Sequence, residues 1–450
     1  MTRVHAAFVG CKVSQADSEA ALTQMAAAGL EPVTDAADAD VCIVTTCCVT
    51  AEAERKSRRL ARRLARDGRR VIVAGCAATL RAAQFEHPGV EVLGDEGWGA
   101  LAARLAAEAG PALQVGGAAA GGAAEVGGAA AGSRAAEVGG AAAGSRAAAI
   151  KMGVGVRART RHTLKVQDGC DGSCSYCVVR LVRGRPRSVP LAAAVAAARE
   201  ALAAGCGEIV LSGIDLGAYR GEAHGGAASL ADLVEALVAL PDLRRLRLSS
   251  IEPDHVGDDL LAALAHPRVA RHLHIPLQSG DDAVLAAMRR PYTVAQYLET
   301  VARVRARLGE AMLSTDIIVG FPTEDEAAFE RTLALLQDDL FGRVHVFAYS
   351  ARPGTAAAAL RPLPAHVVRA RAAAAGAAAR AAQRRAAAAA LGRRAEVLVE
   401  ERRNGLWRGY SSHYVRYALN GPAQPGELVY AVADELRDDG VAGHIVGIAG

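Results

Sequence analysis

Residues 162–177 read HTLKVQDGCDGSCSYC. The opening residues have the apolar alternation of a short strand, and a Gly-, Asp- and Ser-containing loop follows at once. Cys170, Cys174 and Cys177 stand on that loop in the spacing C-x3-C-x2-C. Working outward, this strand is the first of six such runs; the others are EIVLSGID, RRLRLSSIE, HLHIPLQS, STDIIVGF and RVHVFAYS. The intervals leave room for helices, which predicts an α/β core built as a partial (β/α)6 barrel. In such barrels the chemistry sits on loops at the strand C-termini.

Upstream, HAAFVG, VCIVTTC and VIVAGC are short apolar runs, and AEAERKSRRLARRLARDG after the second has a helical period. This grammar predicts a small parallel α/β domain over residues 1–110. Residues 111–150 are almost all Ala, Gly, Val and Ser, and AAEVGGAAAGSR at 123–134 recurs at 135–146. Such a stretch buries too little surface to order itself and reads as a flexible linker. The barrel then occupies 151–391, closing with a helical Ala/Arg-rich segment. Residues 392–450 carry β-character with Gly and Pro punctuation and predict a small C-terminal β-barrel.

The chain has 450 residues, 51% apolar and 22% charged, so several globular units are expected. No apolar run reaches the length of a membrane span, and the N-terminus lacks a signal-peptide core. Nine cysteines without an export signal read as metal ligands, catalytic thiols or core residues in a reducing compartment. The expected location is cytoplasmic. A net charge of +4 does not by itself mark a nucleic-acid binder.

Three thiolates on one short loop can hold three irons of a [4Fe–4S] cube and leave the fourth iron open. A zinc knuckle completed by His162 or Asp168 is the alternative, although zinc motifs usually pair two C-x2-C units. Cys11, Cys47 and Cys76 each close a predicted strand, and parallel strand ends gather at one sheet edge. They can meet there as a second three-thiolate site; the bland alternative is buried core, the usual fate of cysteine. Cys42 and Cys206 read as core.

C-x3-C-x2-C after the first strand of a partial barrel resembles the radical S-adenosylmethionine (SAM) superfamily. The resemblance implies that the open iron chelates SAM, which is cleaved to a 5′-deoxyadenosyl radical. Tyr176 occupies the aromatic position common before the last cysteine of that motif. GCKVSQADSE, TTCCVT and GCAA further resemble the methylthiotransferase family's GCKxNxxxSE, NTCxVT and GCxAQ. That family implies a second [4Fe–4S] cluster, on Cys11, Cys47 and Cys76, holding the sulfur to be inserted. Cys48 matches a variable position and is not expected to ligate. Gly213 and Asp215 in LSGID, Glu252 in LSSIEP, Gln278 in IPLQSG and Gly320 in DIIVGFP lie at strand ends and are candidates for the SAM pocket.

Three basic strips favour a phosphate backbone as partner. Nine basic residues lie between Arg55 and Arg70, Arg180, Arg183, Arg185 and Arg187 follow the cysteine loop, and six arginines lie in 361–391. A solvated helix face is the competing explanation. EVLVEERRNGLWRGYSSHYVRY resembles the RNA-binding TRAM barrel that ends these enzymes. With HIPLQSGDDAVLAAMRRPYT and HVFAYSARPGT, it is most similar to the branch that methylthiolates C2 of threonylcarbamoyl-adenosine beside the tRNA anticodon. The implied partners are a tRNA anticodon stem-loop and a flavodoxin- or ferredoxin-like reductant, with a monomer favoured. Tyr410, Tyr414 and Tyr417 are candidates for stacking on the unstacked base. Branches acting on isopentenyl-adenosine in tRNA or on an aspartate of a ribosomal protein are the alternatives, and a non-catalytic zinc-bound RNA-binding module is a further one. Thr45, Ala78, Thr323, Arg180 and Leu181 depart from the family's usual residues without removing a cysteine.

Overall fold

The computed structural model describes residues 1–94, 96–108 and 160–449, so the repeat-bearing linker predicted at 111–150 lies outside the described residues. The N-terminal unit is a five-stranded parallel sheet in the order Glu31–Pro32, Arg3–Phe8, Val41–Thr46, Arg70–Gly75, Val90–Val92. The three central strands are the predicted ones. The two edge strands escape a sequence reading because two or three residues carry no period. The first strand lies inside the sheet rather than at its edge, so the strand order reverses between Arg3–Phe8 and Val41–Thr46. Open α/β sheets place their ligands at the strand C-termini beside such a reversal.

Helix Ala51–Arg66 shows why this unit carries a basic face. Thr50 caps it by accepting from the Ala53 amide at 3.1 Å. Ala61 and Leu64 lie on the buried side, and Arg59, Arg62, Arg63 and Arg66 are exposed.

The six predicted barrel strands form as Arg161–Lys165, Glu208–Ser212, Arg245–Leu248, His272–His274, Met312–Val319 and Arg343–Ala348. They make two three-stranded parallel sheets joined by bridges at Leu246–Val269 and Ser250–His274. The first and sixth strands stay unpaired with each other, so the barrel is open on that side. Its strands alternate in an unusual sense. Leu164, Ile209, Leu211, Leu246, Leu248, Leu273, Leu313 and Ile317 join the core under the helices. The alternate positions, among them Arg161, Glu208, Arg245, Arg247, His272, His274, Ser314 and Asp316, are polar and face one another. The lumen is therefore polar and the outside apolar.

The N-terminal unit covers the open side. From the helix Lys12–Ala27, Asp17 bonds Lys165 of the first strand at 2.7 Å. After the sixth strand, Arg352 bonds Glu54 at 2.7 Å, and Ser350 accepts from the Ala51 amide at 3.2 Å.

Helix Ala365–Ala388 leads to a closed barrel ordered Arg394–Arg403, Leu406–Ser411, Arg416–Asn420, Gly440–Ile448, Leu428–Arg437. Strands Leu406–Ser411 and Arg416–Asn420 are separated by a turn at which Tyr414 takes φ +63°. This turn seals the N-terminal end of the larger barrel. Glu208, fully buried, ion-pairs with Arg245 and with Arg247, whose Nε lies at 2.9 Å. The same guanidinium groups donate to the carbonyls of Tyr410, Ser411 and Ser412 at 3.1–3.2 Å. Arg161 pairs with Glu400 beside them.

The two arginines hold the Glu208 carboxyl far below the usual carboxylate range despite its burial. Its stabilisation is therefore present at neutral pH and is lost as pH falls below the unfolded value of about 4.3 toward the folded one. Glu208→Gln leaves two buried guanidinium groups uncompensated. Urea unfolding at pH 7 should show a loss of about 3–5 kcal/mol, and the variant should lose stability less steeply than the parent on acidification.

Candidate cluster and SAM site

The loop holding the first cysteine set is fixed by close backbone contacts. Gly169 has φ +76°, and a side chain there would collide with the Arg185 carbonyl. The Cys170 amide donates to the Gly184 carbonyl at 3.1 Å. A Cβ at Gly172 would lie 3.1 Å from the Cys170 sulfur and 3.9 Å from that of Cys174, so this residue threads between two thiols. Burial pushes Cys170 up to about 12 and Cys177 up to about 11, and the neighbouring thiols of the set add to both rises. A thiolate at Cys170 or Cys177 is therefore costly without a cation to share its charge.

The other predicted residues surround this loop. Asp215 lies 3.6 Å from the Cys170 sulfur and 3.2 Å from His255 Nδ1. Gly213 has no room for a side chain, since a Cβ would lie 2.9 Å from the Gln167 Cβ. Gln167 in turn accepts from the Asp215 amide at 2.7 Å. Tyr176 packs with Val284, Met288, Phe321 and Ala357 as an apolar wall behind the cysteines. Glu252 is ion-paired with Arg290, which also donates to the Cys174 sulfur at 3.2 Å and to the Tyr292 hydroxyl at 2.9 Å. Gln278 is buried with φ +70°, a rare conformation for a residue with a side chain. It is held there by backbone bonds to Asp316 and Ile318 at 2.8 and 2.9 Å. At Gly320 a Cβ would lie 2.8 Å from Val368, so the glycine admits the long C-terminal helix.

The second cysteine set also converges. Cys11 caps the helix Lys12–Ala27, Cys47 follows the third strand in chain order, and Cys76 opens the helix after Arg70–Gly75. Gly10 has φ +142°, and a Cβ there would lie 2.7 Å from the Cys47 Cβ. Burial pushes Cys47 up to about 12, and the charges of Cys11 and Cys76 add to the rise. Cys76 is shifted the other way: hydrogen bonding with Cys48 and the Arg183 guanidinium hold it toward the thiolate. Arg183 Nε lies 3.1 Å from the Cys76 sulfur. Thr46 Oγ1 accepts from the Ala78 amide at 3.0 Å, which fixes the turn carrying Cys76, while the neighbouring Thr45 hydroxyl is buried without a partner. Cys42 is core, and Cys206 is buried with its thiol donating to the Glu208 carbonyl at 3.0 Å.

Several readings need correction. Tyr417 is core of the C-terminal barrel, and Tyr410 and Tyr414 stack on each other at 4.9 Å between centroids under Arg161 and Arg247. Their half-buried rings pack at the interface between the two barrels and line a cavity there. Arg183 and Arg371 are likewise turned inward, Arg371 onto Glu324 at 2.7 Å. Arg290, Gln167 and His255 were not singled out from the sequence, since each is defined by a partner far along the chain.

Comparison with known proteins agrees with this geometry. Residues 164–336 match the radical SAM superfamily, and residues 3–93 match the uncharacterized protein family UPF0004. A threonylcarbamoyladenosine tRNA methylthiotransferase of Thermotoga maritima is 33% identical over 447 residues, covering 98% of this chain and 96% of its own. The chain belongs to the radical SAM methylthiotransferase family. It is a transferase built on the fold whose [4Fe–4S] cluster works with SAM. A tRNA-2-methylthio-N(6)-dimethylallyladenosine synthase of Erythrobacter litoralis is 37% identical, but over 63% of this chain and 65% of its own. Among solved structures, the radical SAM methyltransferase TsrM of Kitasatospora setae superposes with a TM-score of 0.52 at 15% identity, covering 77% of this chain and 73% of that one. This likeness concerns the fold alone.

Two measurements follow from the methylthiotransferase loop geometry. Gly169→Ala should displace the cysteine loop and lower the iron retained after anaerobic reconstitution several-fold, read as iron per chain. Because the Cys170 and Cys177 thiols are pushed up, they are protonated at neutral pH and must lose protons to bind metal. Cluster assembly should therefore release protons and strengthen as pH rises from 7 to 9, by up to about tenfold per unit for each proton displaced. Proton release measured in weakly buffered solution checks this.

Proposed function

We propose that this chain inserts a methylthio group at C2 of N6-threonylcarbamoyladenosine at position 37 of tRNA. The observation that carries the choice of nucleoside is the polar lumen below the cysteine loop. His274 and His345 both bond Asp316 at 3.1 Å, and His272 and His274 share Ser314 Oγ at 2.8 and 2.9 Å. Arg343 and Lys12 lie deeper, over the Tyr414 ring. A threonylcarbamoyl arm brings a carboxylate, a hydroxyl and amide groups that suit such a lining, whereas an isopentenyl arm would set hydrocarbon against these polar groups. Similarity to the Thermotoga enzyme over nearly the whole chain supports the same choice.

In this reading Cys170, Cys174 and Cys177 hold one [4Fe–4S] cluster, and Cys11, Cys47 and Cys76 hold a second. When bound, these groups with SAM supply the radical and the sulfur. Asp215 receives a polar group of SAM beside Cys170, Tyr176 walls the loop, Gly213 and Gln278 shape the rim, and Glu252 works through Arg290 on the Cys174 side. Segments 1–110, 151–391 and 392–450 act as sulfur-holding, radical-generating and TRAM-like RNA-binding units. Exposed Arg59, Arg62, Arg63 and Arg66 with Arg361, Arg369, Arg380 and Arg384 meet the phosphates of the anticodon stem-loop. The setting is cytoplasmic, with a flavodoxin- or ferredoxin-like reductant, and the working form is a monomer. Among the described residues no helix is long and apolar enough to cross a membrane.

Mass spectrometry of tRNA nucleosides from cells with and without the gene tests the proposal. Loss of the methylthio-threonylcarbamoyl nucleoside with accumulation of its parent is expected; a change in the isopentenyl nucleoside instead would overturn the choice of substrate. Replacing Arg59, Arg62, Arg63 and Arg66 by Gln should weaken stem-loop binding and flatten the slope of log affinity against log salt by roughly 3, at about 0.7 per phosphate contact.

A further inference from the structure

Arg183 links the Cys76 sulfur of the N-terminal site to Asp168, two residues before Cys170 on the barrel's cysteine loop. It ends the short helix Val179–Arg183, directly after Cys177. Nε donates to the Cys76 sulfur at 3.1 Å, Nη2 to Asp17 at 2.8 Å, and Nη1 to both oxygens of Asp168 at 3.3–3.4 Å. Lys165 bonds the same two carboxylates at 2.7 Å, and Arg187 approaches Asp168 at 3.7 Å. Three cations thus meet two carboxylates, and a thiolate at Cys76 brings the set to balance. The members come from separate places: Asp17 from the helix that Cys11 caps, Asp168 from two residues before Cys170, Lys165 from the first barrel strand. The Arg183 side chain is 10% exposed and those of Lys165 and Asp168 are 9% exposed, so water does little to screen the set.

We infer that Arg183 is a positioning residue that sets the N-terminal thiol site against the barrel's cysteine loop and, through its hydrogen bond to the Cys76 sulfur, raises the reduction potential of the cluster held there. The inference rests on the proposed second cluster. Hydrogen bonds and positive charge at a ligating sulfur withdraw electron density from iron and make a cluster easier to reduce. Arginine suits the place because its planar fork reaches a sulfur and two carboxylates together, whereas an ammonium offers one compact point of charge.

The test uses the full chain carrying C170A, C174A and C177A, reconstituted anaerobically so that iron can enter the N-terminal site alone. Iron per chain is counted, and a dithionite titration is followed by electron paramagnetic resonance. Arg183→Gln should keep its iron and shift the midpoint to lower potential. Arg183→Lys should recover part of that shift, and Asp17→Asn, which removes a carboxylate from beside the sulfur, should move the midpoint the other way. Should Arg183→Gln shed iron, the lysine and Asp17 variants carry the comparison. An unchanged midpoint in iron-replete variants overturns the inference and leaves Arg183 a clamp between domains. A parent triple variant that binds no iron overturns the two-cluster reading instead.

Discussion

A guanidinium sealed from water needs an acceptor for each donor, and Arg183 finds its acceptors on three separate stretches of chain. That requirement ties the N-terminal sheet to the first edge of the open barrel. The buried pair of Arg352 with Glu54 does the same at the other edge. Between these anchor points the gap left by an unclosed six-stranded sheet is covered. Arg183 thereby links the turn that carries Cys76 to the stretch just before Cys170. Neither set alone explains this arrangement: a tight glycine loop gathers the first trio and strand ends gather the second. The buried charges fix one relative to the other.

The polarity of the lumen follows from the same openness. A closed eight-stranded barrel fills its centre with branched aliphatic side chains. Here the inward positions carry histidine, serine, aspartate and arginine, and the aliphatic layer lies outside beneath the helices. A wet, hydrogen-bonding interior gives little packing energy, so the helices and the outer leucines carry the stability of this unit. In return, its donors and acceptors are already held in place by one another.

Much of this was legible in the sequence because the signals are local. Six strands, three central strands upstream and both cysteine trios are written in runs and spacings of a few residues. What escaped reading depends on distant partners. Arg290 acquires meaning through Glu252 and Cys174, and Gln167 through the Asp215 amide. Tyr410 and Tyr414 looked available for stacking because a β-region does not reveal which face meets another domain. Arg371 belonged to a basic strip by composition and to Glu324 by packing. Charge counted along a chain overstates the charge that reaches solvent whenever a carboxylate waits in another element.

The sealed end of the large barrel has a consequence for how far this protein can be divided. Glu208, Arg245 and Arg247 belong to one unit, and the carbonyls of Tyr410, Ser411 and Ser412 that complete their bonding belong to the next. Cutting the chain before Arg394 would leave two buried arginines short of acceptors at the floor of the catalytic lumen. The C-terminal barrel is thus not a detachable appendage. Another barrel put in its place would preserve the fold only if it offered the arginines of this floor a matching set of acceptors.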